Sequence, residues 1–199
     1  MDFSKYNNIN EKVKKFGGVK RVVLNKDLLE EAEKSWEQFT PEEISLIDEE
    51  FPTALQVFSP KKIYGAMLSG SICTSIITSK AICIYNRYTF TAIPVKDILW
   101  IYPDIFTQKM NFIPYNKTHS LILLARNGKR YTLGSVSTGG FSRKKPASEE
   151  LEKIRNVLDK YRKGIIYGYT DEINNMFALN FGKAIEMVDA NSEENIGDN

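Results

Sequence analysis

Residues 72–102 read ICTSIITSKAICIYNRYTFTAIPVKDILWIY, and the reading of this stretch decides the fold. β-branched and aromatic residues recur in short runs, interrupted by polar punctuation at Thr78-Ser79-Lys80 and again at Pro94–Asp97. Such side chains pack well on a pleated surface and lose rotamer freedom in a helix, so the runs predict strands at Ile72–Ile77, Ala81–Asn86 and Tyr88–Val95. Proline supplies no backbone N–H to a ladder, and Pro94 therefore predicts a kink before the apolar run that starts at Ile98.

Downstream, Ile98–Phe106 and Lys109–Ile113 read as further strands, with Pro114–His119 as a loop between them and Ser120. Asn127-Gly128 then stands between Ser120–Arg126 and Lys129–Val136, the pattern of a two-residue type I′ hairpin whose central residues both take positive φ. That turn would pair Leu124 with Tyr131 and Ile122 with Leu133. Leu121 and Leu123 fall on the opposite face, which predicts a sheet covered on both sides. Ser148 is the expected cap of a helix presenting Leu151, Ile154, Leu158 and Tyr161, and Thr170 of a last helix with Ile173, Phe177, Phe181 and Ala184 as its stripe. One buried core is expected to unite Ile98, Trp100, Ile122, Leu124 and Leu133 with Leu151 and Leu158.

Upstream, periodicity predicts helices at Ile9–Phe16 and Lys26–Gln38, the second anchored by Trp36. Thr40-Pro41-Glu42-Glu43 is a capping box with proline at the first helical position, and Pro52 ends that helix. Leu55–Phe58 and Ile63–Leu68 read as strands. The division expected is an acidic helical segment over 1–53 packed on the main domain, a β domain with closing helices over 54–188, and a disordered tail over 189–199.

The fold class is thus α+β, and the order of elements resembles the pleckstrin-homology-like (PH-like) fold, in the style of uncharacterised bacterial members. The residues carrying the resemblance are Ile93-Pro94-Val95-Lys96-Asp97-Ile98 followed by Leu99-Trp100-Ile101-Tyr102, and it extends over roughly Ala54 to Lys163. It implies an antiparallel sheet or partly open barrel closed by a C-terminal helix, with the other helices as additions. It does not carry phosphoinositide binding with it, because Ser69-Gly70-Ser71 offers no cation to a headgroup.

At 199 residues, 42% hydrophobic and 26% charged, the chain has the composition of a globular domain. No apolar run is long enough to span a bilayer, and the N-terminus lacks the apolar core of a signal peptide, so a cytoplasmic protein without a transmembrane segment is expected. Cys73 and Cys83 read as small buried hydrophobes. His119 is the single histidine, which leaves no spacing for a transition-metal site and points to no cofactor. The net charge of +2 hides an asymmetry: ten acidic residues between Asn25 and Glu50, and thirteen basic residues between Phe106 and Ile165. The acidic helices are expected to shield part of the basic half.

One segment offers a candidate site. In STGGFSRKK, Gly139 and Gly140 could form a backbone nest for an anion, with Ser142, Arg143, Lys144 and Lys145 beside it. It lacks the spacing of a P-loop, and Glu149 and Glu150 follow it. Around Asn127-Gly128 the basic residues are too sparsely mixed with exposed aromatics to indicate nucleic acid. The expected function is a non-enzymatic binding domain, with a protein or peptide added at a sheet edge as first partner. The alternatives are an anionic surface, lipid headgroup or nucleic acid, and a small enzyme in which His119 lies beside a carboxylate or Cys83.

Overall fold

A computed structural model describes residues 34–58, 74–85 and 90–193. The kink after Pro94 is a change of sheet. Before it, β1 (Leu55–Gln56), β2 (Thr74–Ile77), β3 (Ala81–Tyr85) and β4 (Phe90–Pro94) form an antiparallel sheet in sequence order. A single 3₁₀ turn, Val95–Asp97, then hands the chain to a second sheet. There β5 (Ile98–Met110), β6 (Ile113–Ala125) and β7 (Arg130–Gly139) run antiparallel, and the short β8 (Ile166–Tyr167) lies parallel to β5 in the order β7-β6-β5-β8. Parallel entry needs a crossover, which α2 (Pro146–Leu158) provides. The remaining helices are α1 (Pro41–Glu50), α3 (Asp171–Leu179) and α4 (Phe181–Glu193).

The sheets enclose an apolar layer of Ile77, Ile82, Ile93, Ile98, Leu121 and Leu133, onto which α2 lays Leu151, Ile154 and Leu158. They meet where Ser75 Oγ donates to the Leu133 carbonyl. The outer face of the first sheet, with Ile76, Cys83 and Ala92, is covered by Trp36, Phe39, Ile47 and Phe51. The outer face of the second is covered by Phe177, Ala184 and Val188, which pack on Leu99, Trp100 and Leu124. Trp100 is stacked on Tyr102 at 4.0 Å and stacks nearly parallel to Phe177 at 5.4 Å.

The single core expected from the sequence is therefore two layers. Ile98, Leu133, Leu151 and Leu158 face inward, whereas Trp100, Ile122 and Leu124 face outward. In a regular strand Ile98 and Trp100 would share a face, but a register irregularity between them inserts Leu99 and reverses the alternation.

The hairpins also differ. The β6–β7 turn is not type I′: Gly128 has φ +77°, but Asn127 is not in the left-handed region. Gly128 N donates to Ala125 O, Lys129 N to Asn127 Oδ1, and Ala125 N to Lys129 O, the three-residue loop with a glycine bulge. The register moves by one, pairing Leu123 with Tyr131 and Ile122 with Thr132. The turn with two positive φ values is instead Asn111-Phe112, at +49° and +66°, with Met110 opposite Ile113. Residues 114–119, expected as loop, are in β6, and residues 109–110 continue β5 rather than starting a strand.

The helix starts follow capping chemistry. Thr40 Oγ1 accepts from Glu43 N while Glu43 Oε2 accepts from Thr40 N, so the expected box holds. Thr170 Oγ1 accepts from Ile173 N at the start of α3. α2 begins at Pro146 without a side-chain cap, so Ser148 lies inside it. Its Glu150 is buried and accepts from Phe58 N. The last helix is two, parted at Asn180, and the second runs to Glu193 instead of fading after Val188. The expected elements Ile9–Phe16 and Ile63–Leu68, most of Lys26–Gln38, Cys73 and residues 194–199 lie outside the described residues.

Polar groups fix the change of sheet. Arg162 Nη1 donates to the carbonyls of Val95 and Lys96 and, at 2.7 Å, of Ile98, while Nη2 meets Asp189 Oδ1 at 3.3 Å. Asp189 also receives a two-pronged bond from Arg126 at 3.0 and 2.6 Å, and Arg126 N donates to Asp97 O. Glu50, at the end of α1, accepts from both Ser79 N and Ser79 Oγ at 2.6 Å. The acidic helix is thus held to the first sheet by an apolar face and this carboxylate.

Candidate functional site

Beyond Tyr102 the second sheet outgrows its cover. Ile98–Tyr102 are buried, yet Asp104, Ile105 and Phe106 are exposed, and after the half-buried Thr107 and Gln108 so are residues 109–113 around the turn. At about 3.3 Å per residue, Pro103–Met110 extends the strand by about 25 Å. The reason is local: β5 and β6 keep pairing down to Met110–Ile113, while no described element faces their side chains. At the tip stands Phe112, 96% exposed, between Met110 at 66% and Ile113 at 58%. Tyr115 is also exposed.

The loop of the expected anion site is attached to this apex. Gly139 ends β7 opposite Asn116, and Gly140 N donates to Tyr115 O at 3.0 Å. A Cβ on Gly140 would lie 2.0 Å from Pro114 O, so this contact of two backbones requires glycine. Lys117 Nζ donates to Ser142 O at 3.1 Å and holds the loop from the other side. Phe141 is left 77% exposed beside the hairpin.

Within the loop the residues expected to act together separate into two groups. Gly140 N and Ser142 N are bonded to protein carbonyls, Tyr115 O and Gly139 O, and Lys144 N is bonded to Ser142 Oγ. Neither Gly139 nor Gly140 takes positive φ, so the backbone nest is not formed. Arg143, Lys144 and Lys145 keep exposed side chains. Glu150, expected to repel an anion, is turned inward toward Phe58 N and Lys153.

The combined surface is apolar and cationic. Segments 105–119 and 136–148 carry Lys109, Lys117, Arg143, Lys144 and Lys145 and contain no carboxylate. Sequence reading missed Met110, Phe112 and Ile113 because it took their run for a separate strand followed by loop. The available signal was Asn111, one of the few non-glycine residue types that readily enter the left-handed region at a hairpin turn.

The two side chains singled out as candidates for catalysis, His119 and Cys83, are both buried. His119, 2% exposed, has Nε2 3.0 Å from Thr138 Oγ1 and no partner at Nδ1. Burial, with Lys117 adding to it, holds its pKa below the usual histidine value, since protonation would place an N–H where no acceptor lies. Cys83 is a free thiol in the outer cluster beneath Trp36, and burial pushes its pKa far up, opposite to what a nucleophile needs. A cleft of about 240 Å³ lies between α1, the β2–β3 turn and the 3₁₀ turn, lined in part by Glu43, Ser79, Lys96 and Arg162. Glu43, Ser79 and Arg162 are already bonded within the protein. Among the described residues no group of three His, Cys, Asp or Glu side chains is placed to hold a metal, and no helix is long and apolar enough to cross a membrane.

No family model, no curated protein and no solved structure matches the chain.

Proposed function

We propose that the protein is a non-catalytic binding module of PH-like type whose contact surface is the apex formed by the β5–β6 turn and the loop after β7. The PH-like part rests on the antiparallel order of the strands, the two facing sheets and the helix α2 laid across their shared core. The observation that carries the binding role is the concentration of apolar exposure: seven of the eleven exposed large hydrophobic side chains among the described residues lie at 105–115 and 141. Apolar side chains gathered on one protrusion mark a surface that is covered in use.

Strand addition at β4 has less support. Ala92 N is bonded to Ser35 Oγ and Ala92 O to Gln38 Nε2, so this edge is already occupied by the segment before α1. Against an enzyme stand the shielded His119 and Cys83, which lie on different faces of different sheets.

The test is photo-crosslinking in cells with benzoylphenylalanine in place of Phe112, and in place of Glu152, an exposed position on α2. An adduct, protein or lipid, formed at 112 and absent at 152 is the expected result. Equal or absent labelling at the two positions would remove the apex as the contact surface.

A further inference from the structure

On the reading that the apex is the contact surface, we infer that its partner is the surface of an anionic lipid bilayer, into which Met110, Phe112 and Ile113 insert while Lys109, Lys117, Arg143, Lys144 and Lys145 contact lipid phosphates. The shape argues for a bilayer. The apolar groups stand on a convex tip two strands wide, whose strands are about 4.8 Å apart, with Phe112 at its end. Such a wedge displaces few headgroups, and amphipathic elements seat their apolar side about 5–10 Å into the headgroup–acyl boundary.

Lys109 is at a matching depth. Lys109 pairs with Pro114, one step behind Met110–Ile113, and so stands about 7 Å back from the turn at the strand rise. Arg143, Lys144 and Lys145 are brought to the same end by the Gly140–Tyr115 backbone bond and by Lys117 on Ser142. Five cations with no carboxylate among them in either segment are complementary to phosphate, whether in phosphatidylglycerol or another acidic lipid.

The experiment is co-sedimentation of the full chain with vesicles of phosphatidylcholine alone and of equal parts phosphatidylcholine and phosphatidylglycerol. Binding to the mixed vesicles only is expected, weakened by salt. Phe112→Ser should lower the partition coefficient roughly tenfold through lost apolar burial. Arg143→Gln/Lys144→Gln/Lys145→Gln should lower it on the order of a hundredfold, at about fivefold per cation. Because Phe112 is exposed, its variant keeps the fold, which circular dichroism checks. Depth is read with Phe112→Trp and brominated acyl chains: quenching is expected there and not with Leu179→Trp, another exposed apolar position.

Absence of sedimentation with the mixed vesicles overturns the inference. So does sedimentation lost in the triple glutamine variant but untouched by Phe112→Ser, which would mean a polyanion surface without insertion. If benzoylphenylalanine at 112 then labels a protein, the apex remains the contact surface and the bilayer is rejected. If neither vesicles nor crosslinking engage position 112, both readings fail together.

Discussion

Arg162 shows how one side chain can settle the path of the chain. Its guanidinium serves three carbonyls of the sheet crossover and the Asp189 carboxylate, and burial lowers its pKa against the pull of that carboxylate. A lysine is a point charge and cannot span these acceptors, so Arg162→Lys is expected to cost about 1–3 kcal/mol in urea unfolding, with an unchanged m-value. No loss of stability would show that the crossover holds without it. His119 gives a second residue-scale prediction. Its folded pKa lies below the unfolded one, so its share of stability is present above the unfolded pKa and is lost as pH falls through that value toward the folded one. The melting temperature should therefore fall between pH 7 and pH 5, and His119→Gln should flatten that slope. A parallel decline in both proteins would assign the effect elsewhere.

At the scale of elements, α2 and the β5–β6 hairpin behave oppositely. α2 buries Leu151, Ile154 and Leu158 in the layer between the sheets, and Leu158 is fully enclosed. Leu158→Ala should cost about 2–5 kcal/mol, the range for a leucine whose cavity cannot collapse. An unchanged melting temperature would mean that α2 does not close the core. The hairpin is stabilised by its ladder and by the loop clamped at Gly140. Gly140→Ala forces Pro114 and the new methyl apart, so the amides of Gly140 and Ser142 should exchange faster while those of β2 and β3 keep their protection. Uniform acceleration across both sheets would mark the apex as part of the cooperative core instead.

At the scale of the whole molecule the described residues form five layers: the segment around α1, the first sheet, the shared core with α2 at its end, the second sheet, and the α3–α4 pair. Trp36, Phe39, Ile47 and Phe51 cover Ile76, Cys83 and Ala92, so the described acidic segment completes the first sheet. Removing residues 1–50 should expose that face, and the 51–199 fragment should bind a hydrophobic dye or aggregate where the full chain does not. A soluble, dye-silent fragment with the native melting temperature would make the segment an independent appendage. The shielding of the basic half expected from the sequence bears in part on Asp27, Glu30, Glu31 and Glu33, which lie outside the described residues. The carboxylates of Glu43 and Glu50 are directed at Thr40 and Ser79, and Lys109, Arg143, Lys144 and Lys145 at the apex keep exposed side chains.

What the sequence determined by itself is the set of features that depend on neighbours a few residues apart. Thr40-Pro41-Glu42-Glu43 places a helix start because the cap is made within four residues, Thr170 does the same for α3, and Pro94 ends a strand because its nitrogen carries no hydrogen. Leu121 and Leu123 on one face and Ile122 and Leu124 on the other announce a sheet covered on both sides. What only the tertiary structure decided depends on contacts between distant segments. Which face of β5 is inside turns on a one-residue irregularity at Leu99, invisible to a period-two reading. Whether Gly139-Gly140 makes a nest turns on Tyr115, twenty-five residues before Gly140, whose carbonyl takes the amide. The exposure of Phe112 was likewise not legible, because a phenylalanine in an apolar run looks the same whether a layer faces it or the sheet has outgrown its cover. Local chemistry fixes where elements begin and end, and only the packing of whole layers decides which apolar side chains are left for something else to cover.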